Sequence, residues 1–192
     1  RLSGAEPDSP SARSSIAPLA LGVLVVAVAF WLILRGDAGA PPIVRGSPAP
    51  GFELPRLGMG GDESILSLSE LGERVVMVNF WATWCEPCER EMPAMERLYA
   101  LLPRSEFELV AIAIDETESD VEAFQAEYGL SFPILFDADQ STYRAYQTMG
   151  VPETLLIGRD GRIIERYVGP REWDEPAYVE RIRQVVGASG DR

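Results

Sequence analysis

Along this chain the apolar and polar positions fall into distinct regimes. Residues 1–15 are polar, rich in Ser and Pro and without an apolar period, which predicts a disordered tail. Residues 16–34 carry no charge. As a helix rising ~1.5 Å per residue they would span about 28 Å, close to the roughly 30 Å hydrocarbon core of a bilayer. With Trp31 near one end, this stretch predicts a transmembrane anchor. A cleaved signal peptide is the alternative, because Ala38-Gly39-Ala40 has the look of a cleavage site. The apolar region of such a peptide usually runs only about 7 to 15 residues. Residues 35–51 are rich in Gly, Pro and Ala and read as a tether, reaching up to about 50 Å if extended at ~3.1 Å per residue. A folded domain is expected over 52–192.

From residue 52 the pattern alternates between strand and helix periods. Phe52-Glu53-Leu54 and Ile65-Leu66-Ser67-Leu68, either side of Gly58-Met59-Gly60-Gly61, predict a β-hairpin. The near-continuous apolar run over 75–81 predicts a strand buried on both faces, and 109–115 and 132–137 predict two more. Over 86–102, Cys88, Met92, Met95, Tyr99 and Leu102 recur at helical spacing, with Pro93 expected to kink the helix one turn in. Short helices are predicted over 120–128 and 141–147. A strand over 155–158 turns at Asp160-Gly161 into another over 163–168. Asp174 is placed to cap a last helix over 175–186. Strands alternating with helices and closing in a hairpin predict an α/β domain with a mixed sheet.

Composition narrows the chemistry. With 46% apolar residues among 192, there is ample material for a core. The 17 basic residues are all Arg and are outnumbered by 30 acids, giving a net charge of −13 that disfavours nucleic acid as a partner. Because three acids and three arginines precede residue 40, the domain carries all of that net charge. The absence of His removes the commonest metal ligand and general base, and with it His-assisted hydrolases and a copper chaperone that needs a His ligand.

Two cysteines remain, Cys85 and Cys88, at the junction of the predicted strand and helix. Two thiolates cannot make a four-ligand zinc site, and haem attachment needs a His where Glu89 stands. A redox dithiol is therefore the reading, with a merely structural disulfide the remaining alternative. Cys88 falls on the core-facing stripe of the helix, and Cys85 is expected at its exposed tip, where the oriented N–H groups of the helix start lower a thiol pKa.

The run NFWATWCEPC, EMP after the second cysteine, GVPET further on, the leading hairpin and the strand–helix segment near 109–130 together resemble the TlpA, ResA and CcmG/DsbE group of membrane-anchored, thioredoxin-fold thiol-disulfide oxidoreductases. The likeness covers most of 52–186. It implies a thioredoxin fold with an N-terminal hairpin and an inserted strand–helix segment. It also implies a cis-proline at Pro152, facing the dithiol and presenting the backbone of Val151 to an extended client. Cys85 would attack a client disulfide and Cys88 would resolve the mixed disulfide. Glu91, three residues after the second cysteine, would handle the proton of Cys88. That matters because Asn79 stands where thioredoxin has a buried Asp. Trp84, Glu86 and Pro87 would contact the client, Trp84 packing at the dithiol rim, while Trp81 is expected in the core and Trp173 in edge packing.

Glu86, Glu89, Glu91 and Glu153 surround the dithiol with no Lys or His to offset them, which predicts a reductant. The resemblance implies cytochrome c maturation, with apocytochrome disulfides as clients, a membrane thiol carrier as electron donor and no cofactor. A dithiol reductant is needed where disulfides form, so the domain is expected on the periplasmic or extracellular side. Two other classes compete. A peroxiredoxin-like thiol peroxidase would want Thr or Ser at Ala82 and Pro at Val78, and a non-catalytic interaction module would not need Cys85.

Overall fold

Strands form where the sequence is most continuously apolar. The computed structural model describes residues 22, 24, 26–28, 41–58 and 64–188. Its elements are β1 (Glu53–Leu57), β2 (Ile65–Ser67), β3 (Val75–Trp81), α1 (Glu86–Leu101), β4 (Phe107–Ala113), α2 (Glu118–Tyr128), β5 (Ile134–Phe136), α3 (Ser141–Ala145), β6 (Glu153–Ile157), β7 (Ile163–Val168) and α4 (Pro176–Ala188). The seven strands make one sheet in the order β2-β1-β5-β4-β3-β6-β7. β3, β4 and β5 run parallel, and β1, β6 and β7 join antiparallel. This is the thioredoxin-like α/β fold with a mixed sheet.

β3 and β4 bury all seven of their residues because they lie at the centre of the sheet. Alternation along β3 sorts its side chains between two cores. Val75, Met77 and Trp81 join the core that holds Met92, Met95 and Leu98 of α1, while Val76, Val78 and Phe80 join Tyr146, Leu155 and Ile163 on the other face. Asn79 shares the face of Met77 and Trp81, which turns its amide toward α1. The helix runs through Pro93 without interruption.

The chain divides into two compact units, Arg1–Pro41 and Pro42–Arg192. In the first, positions 22, 24 and 26–28 are helical and exposed; the predicted tail and most of the predicted anchor lie outside the described residues. Among the described residues, no helix is long and apolar enough to cross a membrane.

The tether expected to reach residue 51 is instead docked from residue 42 onward. Gly46 N–H donates to Ile163 O at 2.7 Å, Ile163 N–H to Ser47 O at 2.9 Å and Ala49 N–H to Gly161 O at 2.8 Å, pairing this arm with the start of β7. Ile43 and Ala49 supply apolar contacts that the Gly/Pro content of the segment concealed. Asp174 does not cap α4 either. Val179 N–H donates to the Glu175 carbonyl at 3.1 Å, while the Asp174 carboxylate accepts from Arg97 of α1, an arginine that outcompetes a cap for the charge.

Candidate active site

The loop between β3 and α1 is tied at several points. Asp115, 3% exposed just beyond β4, accepts the N–H of Thr83 at 3.0 Å and also its hydroxyl. Ile114 N–H donates to Trp81 O at 3.0 Å, and Cys85 N–H to Ala82 O at 3.2 Å. Cys85 then becomes the N-cap of α1, its sulfur accepting from Cys88 N–H at 3.2 Å, with Pro87 in the first turn where a missing N–H costs nothing. Cys85 and Cys88 are joined by a disulfide with Cα atoms 5.2 Å apart. Cys88 is fully buried, and Cys85, expected at an exposed tip, is only 5% exposed. Its side chain joins the apolar cluster that also holds Ala82 and Cys88. Trp84 is instead 67% exposed, so the prominent surface at the loop tip is aromatic.

The antiparallel register of β3 and β6 sets Phe80 opposite Glu153 and Asn79 opposite Thr154, which brings Val151-Pro152 alongside the redox loop. The Val151–Pro152 peptide bond is cis. Val151 packs on the core cluster that contains both cysteines, and Pro152 O accepts Gly169 N–H at 2.9 Å.

Several of the acids are not bare. Glu86, on the surface, pairs with Arg90 one turn on, an exposed i,i+4 pair of little energetic weight. Glu89 accepts from the Tyr128 hydroxyl, and Glu153, 2% exposed, pairs with Arg166. The expectation considered only Lys and His as offsetting groups, and arginine supplies two of these partners.

Glu91 is a different case. It is 1% exposed, and its carboxylate accepts from Asn79 Nδ2 at 3.0 Å, Arg171 N–H at 3.1 Å and Trp173 Nε1 at 3.2 Å. Burial outweighs those three donors and the Arg171 charge, and pushes its pKa up to about 7. Its position three residues after Cys88 sets the two side chains on one face of α1. A cleft of about 130 Å³ lined by Arg90, Glu91, Pro170, Arg171 and Glu172 lies on its other side. Sequence reasoning missed Trp173 and Arg171 as partners of Glu91, and treated Asn79 only as a lost acid. The available signal was a lone amide in an otherwise apolar strand, which has to find a polar partner across the core. Asp115 and Arg166 gave no local signal, since each acts on a segment distant in the chain.

Residues 45–166 match the AhpC/TSA family. The thiol-disulfide oxidoreductase ResA of Oceanobacillus iheyensis is 39% identical over 153 residues, covering 80% of this chain and 78% of that protein. The chain belongs to the AhpC/TSA family. Within it, ResA of Bacillus subtilis is 33% identical over 147 residues, covering 77% of this chain and 80% of that one. The crystal structure of a Chlorobium tepidum chain assigned as the thiol:disulfide interchange protein DsbE superposes with a TM-score of 0.65 at 33% identity, covering 77% of this chain and 98% of the other. The expected kinship with ResA and DsbE-type proteins holds, and this AhpC/TSA member is a thiol-disulfide oxidoreductase whose Cys85–Cys88 pair fits a redox Cys-Xaa-Xaa-Cys motif.

Proposed function

We propose that the protein is an extracytoplasmic, membrane-tethered reductant of protein disulfides that serves cytochrome c maturation. The observation that carries this reading is the buried Cys88–Glu91 arrangement behind a helix-capping Cys85. It provides a resolving thiol and a carboxylate able to take its proton near neutral pH.

In the reduced protein, the Cys85 thiolate attacks one sulfur of a client disulfide; the client S–S bond breaks, the other client sulfur leaves as a thiolate that takes up a proton, and a mixed disulfide forms. Glu91 accepts the proton of Cys88. The resulting thiolate attacks Cys85 Sγ, releasing the second client sulfur as a thiolate that takes up a proton. The client gains two electrons and the enzyme leaves as the Cys85–Cys88 disulfide. A membrane dithiol carrier returns it to the reduced state. Val151 and Pro152 seat the client backbone, and Trp84, Glu86 and Pro87 form the facing rim.

The direction of electron flow follows from weak thiolate stabilisation. The N-terminus of α1 favours the Cys85 anion, Glu86 and Glu89 in the first turn oppose it, and burial disfavours the anion at Cys88. A less stabilised dithiolate is a stronger reductant. Equilibration with glutathione tests this: the protein is expected to stay oxidised at ratios where a strong oxidant is already reduced. A pair that oxidises glutathione, with a Cys85 pKa well below the thiol range, reverses the assignment. A Cys88→Ser variant is expected to trap clients on Cys85, and recovery of apocytochromes from the trap tests the client class.

A further inference from the structure

One side chain joins the docked arm to the segment that faces the dithiol. Arg166, in the middle of β7, directs its guanidinium to the Glu153 carboxylate and to the carbonyls of Gln147 at 2.8 Å, Tyr146 at 3.3 Å and Ile43 at 3.4 Å. Glu153 directly follows Pro152, and its second oxygen accepts Met149 N–H at 3.4 Å. Gln147 Oε1 in turn accepts Ile43 N–H at 3.0 Å. Segment 146–153 is thus held at its start and at its end by the same cation, and the arm is held by that cation and by the segment. A planar five-donor fork can serve such divergent acceptors, whereas a lysine ammonium cannot.

We propose that Arg166 is a positioning residue for client binding, which fixes segment 146–153 beside the dithiol and makes the docked arm part of the client-binding unit. This rests on the reading of the protein as a client-disulfide reductase with Val151-Pro152 as the client seat. The side chains left on the outside of this unit suit it to an extended client: Met149 is 92% exposed, and Val168, opposite Glu153 in the sheet, is 69% exposed. Glu153 without Arg166 would be a buried charge lacking its counter-ion, so loss of the cation displaces the segment rather than merely loosening it. The thiol chemistry is held from elsewhere, by the first turn of α1 and by Asp115, none of which Arg166 touches. Client docking and thiol reactivity are therefore separable.

The test uses the full chain and two disulfides: an oxidised peptide containing Cys-Xaa-Xaa-Cys-His, and a small bis(nitrobenzoate) disulfide too short to occupy segment 146–153. The double variant Glu153→Gln/Arg166→Gln removes the pair without stranding a charge. Gly46→Val unseats the arm at a distance, because Gly46 holds a φ of +87° that a β-branched residue resists. Both variants are expected to raise KM for the peptide about tenfold. The rate with the small disulfide should stay within about twofold of the parent. An unchanged peptide KM in either variant, or equal losses on both disulfides, overturns the proposal. Failure of the parent protein to reduce the peptide would instead sink the underlying reading of function.

Discussion

At the scale of single residues, Glu91 is the informative one, because its placement makes a pH signature. Its pKa rises from 4.5 in the unfolded chain to about 7 in the fold, so between those values the folded state binds the proton more tightly. The associated stability is fully present below about pH 4.5 and is lost as pH rises through 7, a change on the order of 3 kcal/mol. Urea unfolding of the disulfide form at pH 5 and pH 8 should show this decline, and Glu91→Gln should flatten it. A parent protein equally stable at both values would contradict the burial argument. The resolving step should likewise lose an inflection near pH 7 in the variant, measured as release of the trapped client. The family resemblance pointed to this carboxylate, three residues after Cys88. It could not supply Trp173 and Arg171, whose contacts close only when the segment before α4 folds back across α1. Nor could it show that Cys85 joins the apolar cluster around Cys88, since that packing is made by segments distant in the chain.

At the scale of elements, the redox loop depends on a strand that is not next to it in sequence. β4 ends where Asp115 reaches the N–H and hydroxyl of Thr83, so the parallel pairing of β3 and β4 also sets the approach to Cys85. Thr83→Val removes one of the donors to a buried carboxylate and should cost about 1–3 kcal/mol by chemical denaturation. An effect below about 0.5 kcal/mol would mean that the loop is held by other contacts. Strand β3 was readable to the residue because all seven of its positions, six of them apolar, are buried on the two faces of the sheet. The ends of the shorter strands were not, as β5 keeps only 134–136 in the ladder and β6 begins two residues earlier than its apolar run. Glu153 and Thr154 are polar residues drawn into β6 by Arg166 and Asn79. Local propensity cannot register partners so far along the chain.

At the scale of the whole molecule, a net charge of −13 shapes the encounter with clients. Cationic client peptides should be reduced faster at low ionic strength and lose that advantage as salt screens the field, whereas anionic ones should speed up. Second-order rates for a matched pair of peptides, measured between low and physiological salt, check this, and parallel salt dependences would refute it. The arm over residues 42–51 was misread for a related reason: its Gly and Pro content described the isolated segment, while its fate was set by the exposed edge of β7.

That docked arm has a consequence for life among unfolded neighbours. A thiol-disulfide oxidoreductase that acts on proteins meets chains that have not yet folded, and such chains add readily to any open row of backbone groups. Here one border of the sheet is β2, three residues long, and the other is β7, occupied at its start by the arm and carrying Glu165 and Arg166. A client therefore finds little to pair with along the borders of the sheet, which on the proposed function leaves Val151, beside the disulfide, as its place to align. The arm thus helps the protein visit sticky substrates repeatedly without aggregating with them.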